Sequence, residues 1–402
     1  MTAATPPQPS GPTRLVAVWL GTITLLAVTA QLVGFEFKDG DSRLYARQAA
    51  ALAQAPFSTW MSPQWPPHYY KEGLFEEHLP VFFWPMALLG KLGVAEIPAA
   101  LWCNFFYLAV LLLALYRLGA LLGGVNTGHL AAWCGLLSVG GFIYGMRANH
   151  EMAVAAGVAW AVLAAVQPVR HLKWLLVLVA SVVWCVAMKG LVGLVVLPAL
   201  GALVLVMGNV GVALPGLVAA TLGAGIFLGV FDVAFSAANG HSFLEAYLNI
   251  HTGYAEQREQ ASALRKLKNV AYYLGAWAWW FFPWTLLLLR DGTRAMNNWR
   301  KDRKNIDVAA RFVLGLAVAS LIYMVFFSAF DRRASRYIFG IQPLVAAAVA
   351  PGLPQRLKHW MDPRVHHAPY WLAAAFVVVM GVRLAAHLFL HVFYSFNLAN
   401  PD

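Results

Sequence analysis

An Asp-Gly-Asp triplet, Asp39-Gly40-Asp41, opens the polar segment that follows the first apolar run of the chain. Paired carboxylates offer two kinds of chemistry. Asp41 can take a proton from an attacking hydroxyl, with Asp39 sharing that proton. Alternatively the pair can hold a hard divalent cation, Mg²⁺ or Mn²⁺, through oxygen ligands. The plain structural alternative is an Asx turn or helix cap at Asp41, because a helix-forming stretch, Ser42–Ala53, follows it at once. The same segment, Phe35–Gly93, also carries Glu77, His78 and Lys71, with Trp60, Trp65, Tyr69 and Tyr70 able to stack on a sugar ring.

Three further polar stretches interrupt apolar sequence. Arg147-Ala148-Asn149-His150-Glu151 delivers an acid and a base together, and Lys189-Gly190 separates two apolar runs. Asp331-Arg332-Arg333-Ala334-Ser335-Arg336-Tyr337 places three arginines within five residues. Guanidinium groups pair with phosphate oxygens bidentately, so this cluster suits an oxyanion clamp. Each stretch also has a bland reading: a polar hairpin, a snorkelling cation, or an Asp–Arg pair closing a loop.

The elements that must position these residues are membrane helices. Hydrophobic residues make up 60% of the 402 and charged ones only 12%, about half the share in a soluble domain. Apolar runs approach the ~20 residues that cross a bilayer, and spans of irregular backbone are not tolerated against lipid. The hydropathy pattern predicts about eleven spans: Leu15–Gly34, Ile97–Leu115, His129–Tyr144, Met152–Val166, Trp174–Met188, Leu191–Met207, Val212–Ala234, Val270–Leu289, Phe312–Phe330, Tyr337–Ala350 and Tyr370–Phe393. The short run Leu79–Leu89 reads as a helix lying at the interface. Residues 1–13 are expected to be a disordered cytoplasmic tail without a signal peptide, 14–394 the transmembrane domain, and 395–402 a short tail. Cys103, Cys134 and Cys185 lie in apolar runs without metal or disulfide spacing and read as core residues.

A cytoplasmic N-terminus puts Arg117, Lys173 and the basic loops 290–311 and 356–364 inside, as the positive-inside rule expects. The opposite face holds nearly all the acids and, against that rule, Arg43, Arg47, Lys71, Arg147, Lys189, Arg258, Arg333 and Arg336. An anionic ligand on that face accounts for them. Nucleic acid does not, since the net charge of +11 is scattered over short loops.

Several of these stretches resemble motifs of one family. Asp41 is followed four residues later by Tyr45-Ala46, and Glu77-His78-Leu79-Pro80 leads into Phe82-Phe83-Trp84, where the family writes Glu-Lys-Pro-Pro and an aromatic run. Ala187-Met188-Lys189-Gly190-Leu191-Val192-Gly193 is similar to the family's Leu-Thr-Lys-Gly-Pro-Val-Gly, and Phe282-Pro283-Trp284 echoes its Pro-Trp. The run from Arg336-Tyr337 to Gln342-Pro343 resembles its Tyr-Leu-Leu-Pro ending. The family is the dolichyl-phosphate-mannose protein mannosyltransferase and lipid A aminoarabinose transferase superfamily of GT-C glycosyltransferases.

That resemblance implies an all-α GT-C bundle with interfacial helices in its first extracytoplasmic loop. It implies transfer of a sugar from a polyprenyl-phosphate donor to a lipid, glycan or protein acceptor, on the periplasmic face of a bacterial inner membrane. Asp41 becomes the base, with Asp39 and Glu151 beside it. Lys189, Tyr337, Arg336, Arg333, Arg258 and His78 become the donor phosphate and lipid contacts. Tyr45, Arg147, Glu77 and Tyr70 become acceptor or sugar contacts. Lipid monophosphate donors need no metal, so no cofactor is expected. Without the C-terminal domain of some relatives, acceptor recognition falls to the loops, 237–269 included, or to a partner. Two other classes share the basic outer face. A lipid-linked sugar transporter or flippase would need helix-broken sites near mid-membrane and alternating access, against which the scarcity of ionisable residues within the spans argues; a polysaccharide ligase or polymerase would use a diphosphate-linked donor.

Overall fold

The computed structural model describes residues 36–360, leaving out 38, 68, 168–170, 257–262, 304 and 331–333, together with scattered positions between 21 and 32 and between 371 and 381. Among these residues the chain is all-α, with one isolated bridge, Gln64–Leu74, and no strand. The helices are α1 (Gly40–Gln54), α2 (Trp84–Lys91), α3 (Glu96–Gly123), α4 (Val125–Leu136), α5 (Val139–Tyr144), α6 (His150–Ala165), α7 (Leu172–Lys189) and α8 (Val196–Met207). There follow α9 (Val210–Asn239), α10 (Phe243–Glu256), α11 (Ala263–Trp280), α12 (Trp284–Lys301), α13 (Val308–Ser328), α14 (Leu344–Val349) and α15 (Gln355–Trp360).

Four stretches are long and apolar enough to cross a membrane: Glu96–Gly123, Leu172–Met207, Ala213–Asn239 and Val308–Ser328. The 28 residues of α3 alone extend about 42 Å, beyond the ~30 Å hydrocarbon core. On α9, Leu222, Ile226, Val230 and Val233 stay exposed, a lipid-facing stripe. This is a multi-pass membrane protein.

Several apolar runs that read as single spans are broken. The run 129–144 is two helices, because Ser138 ends one and caps the next, its Oγ accepting the Gly141 N–H at 2.9 Å. The run 270–289 divides into α11 and α12 at Pro283, and 337–350 becomes a 3-10 turn, Ser335–Ile338, followed by α14 beyond Pro343. Proline lacks the N–H that a continuing helix needs, and hydropathy alone does not register that break. The predicted interfacial run Leu79–Leu89 forms a 3-10 turn, Pro80–Phe82, and α2, with Phe82, Phe83, Met86 and Ala87 buried. The first predicted span and the last fall mostly outside the described residues.

Helix α6 is the axis of the bundle. Fifteen of its sixteen residues are buried, and it packs against α3 and α7. Its small side chains let neighbours approach closely, the usual basis of helix association in lipid. Indole N–H groups fasten the contacts: Trp184 Nε1 donates to the Ala153 carbonyl at 2.8 Å and Trp160 Nε1 to that of Val110 at 3.0 Å. The N-terminus of α6 thereby fixes where His150 and Glu151 stand.

At the end of α7 the chain turns back. Gly190 takes φ +64°, a conformation that side chains with a Cβ rarely adopt. Gly193 then lies against the Cys185 carbonyl, where a Cβ would overlap backbone atoms. In a straight helix residues eight apart are about 12 Å distant, so Leu172–Met207 is folded on itself at Lys189. Gly193→Ala is expected to lower the stability of the purified protein by about 1–3 kcal/mol. Gly201→Ala, with no atom within 4 Å of the added methyl, should stay within about 0.5 kcal/mol of wild type. Paired thermal melts in detergent check both.

Candidate active site

The carboxylate that caps α1 is Asp39. Its Oδ1 accepts the Ser42 N–H at 2.9 Å, and its Oδ2 lies 3.9 Å from Arg147 Nε. Asp41 sits in the first turn, where a carboxylate is favoured by the helix dipole. Its Oδ2 meets Arg336 Nη1 at 2.8 Å. The two aspartates therefore face different partners. Ser42, wholly buried, holds this corner to the next polar stretch, its Oγ accepting the Ala148 N–H at 3.0 Å.

Glu151 stands at the centre. Its Oε1 lies 3.0 Å from Lys189 Nζ and 3.9 Å from Arg336 Nε. The side chain is 4% exposed, against 11% for Lys189, 14% for Arg336 and 30% for Asp41. Such a carboxylate must be paired or lose its charge. Burial opposes the Arg336 charge, but Asp41 and Glu151 outweigh burial and raise its pKa. Tyr337 floors the pair: its ring lies 5.3 Å from Lys189 Nζ and 5.7 Å from Arg336 Cζ, and it stacks on Phe327. The turn Ser335–Ile338 is held by Tyr272, whose hydroxyl accepts the Ser335 N–H at 3.0 Å.

A neutral wall closes one side. Tyr45 Oη and His78 Nε2 are 3.0 Å apart, and the His150 ring packs against Tyr45, His78 and Phe82 with centroids 4.7, 4.5 and 4.0 Å away. Burial first of all pushes His78 down to about 3, more than Glu77 offsets. At neutral pH it offers a hydrogen bond and no charge. Tyr45 is pushed up by burial and then by Asp41, so it stays a phenol.

The fold thus brings together Asp39, Asp41, Tyr45, His78, Arg147, Glu151, Lys189, Arg336 and Tyr337 from stretches up to about three hundred residues apart. Glu77 lies elsewhere in the first loop, paired with Lys71 at 2.6 Å, and Tyr70 is 79% exposed beside the same lysine. Arg258 and Arg333 fall outside the described residues. Among the described residues, no group of three or more His, Cys, Asp or Glu is arranged to hold a metal ion. Sequence reasoning assigned no role to Ser42, His150 or Tyr247. Ser42 carried a signal, standing three places after a cap-forming Asp. Tyr247, whose hydroxyl backs the Gly190 turn and whose ring stacks on His251, carried none.

The pairing can be measured. A thermodynamic cycle of Asp41→Asn, Arg336→Gln and the double variant should give a coupling of about 1–3 kcal/mol.

Comparison with known proteins adds the fold's name. No family model and no curated protein sequence matches the chain. Solved structures do. ArnT from Cupriavidus metallidurans, an aminoarabinose transferase solved bound to undecaprenyl phosphate, superposes with a TM-score of 0.65 at 17% identity, over 94% of this chain and 73% of that one. Arabinosyltransferase EmbB from Mycobacterium smegmatis gives 0.53 at 15% identity over 96% of this chain and 42% of its own. The apo oligosaccharyltransferase of Archaeoglobus fulgidus gives 0.52 at 13%, over 92% and 56%. The motifs and the helical architecture agree: this chain has the fold of the GT-C glycosyltransferases.

Proposed function

We propose that the chain is a membrane glycosyltransferase that moves a sugar from a polyprenyl-phosphate-linked donor to a lipid, glycan or protein acceptor. In this reading it spans a bacterial inner membrane about eleven times and works on the periplasmic face. The observation that carries it is the sharing of Arg336 between Asp41 and Glu151 while Glu151 also holds Lys189. Arg336 lies against Asp41, the carboxylate best placed to act as a base, and Lys189 follows it on Glu151. The undecaprenyl phosphate bound to ArnT supports an anionic lipid as their ligand.

The order of events follows from the pairing. A carboxylate gripped by a guanidinium is a poor base. An incoming donor phosphate competes for Arg336 and Lys189, since charge-assisted bonds to phosphate are strong and Arg meets it bidentately. Arg336 leaving Asp41 for the phosphate restores the basicity of Asp41. The acceptor hydroxyl then attacks the anomeric carbon, its proton passes to Asp41, and the sugar–phosphate bond breaks. Negative charge grows on the departing phosphate, against the two cations that stabilise it. Arg147 keeps α1 in place through Asp39, and Tyr45 with His78 lines the sugar side.

Transfer of a labelled sugar from an undecaprenyl-phosphate donor in proteoliposomes tests this. Asp41→Asn should cost about 10²–10⁴-fold in turnover with donor binding kept, and a variant retaining a tenth of wild-type turnover refutes the base. Lys189→Ala should instead raise the apparent KM for the donor; a change confined to the acceptor term would remove Lys189 from the phosphate. Because the cations come from side chains, transfer is expected to proceed in EDTA. Loss that Mg²⁺ or Mn²⁺ restores would assign Asp39 and Asp41 to a cation instead.

A further inference from the structure

A second charged contact ties the first loop to the junction of α9 and α10. Glu76 Oε1 lies 2.6 Å from His241 Nε2, and His241 Nδ1 lies 3.2 Å from the Asn239 carbonyl oxygen. A neutral imidazole has one N–H and can donate to only one of these acceptors. The other contact would then set lone pair against lone pair. Both are satisfied when the ring is an imidazolium.

The surroundings favour that charge. Glu76 faces His241 from the first loop, and Glu245 acts on it from α10. Asp232 of α9 accepts from Ser242 Oγ and the Leu244 N–H, at 2.9 Å each, beside the ring. Phe235 meets His241 edge-on at 5.6 Å. In the first loop Lys71 is engaged by Glu77. The bond to Glu76, then that to Asn239, raises the His241 pKa above its ordinary value.

We infer that protonated His241 and Glu76 form a clasp that positions the segment carrying Glu77 and His78, so that the wall beside the phosphate site is set by proton occupancy at a ring outside it. His78 is two residues from Glu76 and reaches Tyr45. Releasing Glu76 therefore loosens the tether of a group that contacts the charge cluster's own helix. The sign follows from the raised pKa: the clasp is complete below the ordinary histidine range, about pH 6.5, and is lost as pH climbs through the higher folded value. The connection to donor binding rests on the proposed glycosyl transfer, while the clasp does not.

Two measurements on the full chain in nanodiscs separate these claims. Hydrogen exchange of residues 70–79, corrected for intrinsic rates, should lose about tenfold protection between about pH 6 and about pH 9 in wild type. His241→Gln should show equal protection at both, and Glu76→Gln should do the same if the first variant fails to fold. A wild type indifferent to pH, or a variant that keeps the drop, overturns the clasp. Equilibrium binding of undecaprenyl phosphate should weaken several-fold over the same range in wild type beyond the change in His241→Gln, which corrects for titration of the lipid phosphate. Identical profiles with a working clasp overturn the positioning role. No binding at any pH rejects the donor reading instead, and exchange still decides the clasp.

Discussion

Everything at this site depends on a carboxylate that has almost no water. Glu151 enters the bundle on α6, fifteen of whose sixteen residues are buried. A lone charge there would cost several kcal/mol. Lys189 and Arg336 make its ionised form tolerable, and they in turn dictate where the ends of α7 and the turn Ser335–Ile338 must come. Arg147, Lys189 and Arg336 stand against Asp39, Asp41 and Glu151, so the cluster balances in charge. Removing any member upsets that balance, most of all at Glu151, whose side chain is 4% exposed. The rest of the bundle supplies the register that lets the six meet.

The fold class and most of the cluster were legible in the sequence, because both rest on short-range signals. Long apolar runs identify membrane helices, and polar residues interrupting such runs are costly enough to stand out. Asp41, Glu151, Lys189 and Arg336 were all found that way, and the structure brings them into mutual contact. Partner choice was less legible. The capping alternative fell on Asp41, which directly precedes Ser42, whereas Asp39 caps α1, its Oδ1 accepting the Ser42 N–H at 2.9 Å. Helix breaks at Ser138, Pro283 and Pro343 were hidden beneath unbroken hydropathy. Tyr247 was beyond reach, since its part is to fill space behind a turn far away in sequence.

His78 shows the difference between residue type and state. By resemblance it takes the place of the family's lysine and becomes a contact of the donor phosphate. In the fold it is sealed among Tyr45, Phe75 and His150, and burial keeps it neutral. His241 is its opposite: exposed, with an acceptor at each ring nitrogen, and favoured as the charged form. The surroundings of these two imidazoles thus push their protonation in opposite directions.

The pairing of Lys189 with Arg336 also bears on how a turnover would end. A sugar-bearing lipid phosphate is a diester with one negative charge, whereas the carrier left after transfer is a monoester whose second ionisation lies near pH 6. Two fixed cations under a single site would therefore grip the spent carrier more tightly than the loaded one. Under the proposed reaction the spent carrier, not the loaded one, is therefore the tighter ligand of the two. Asp41 and Glu151, which hold these cations when no lipid is bound, would then compete with it for them and speed its release.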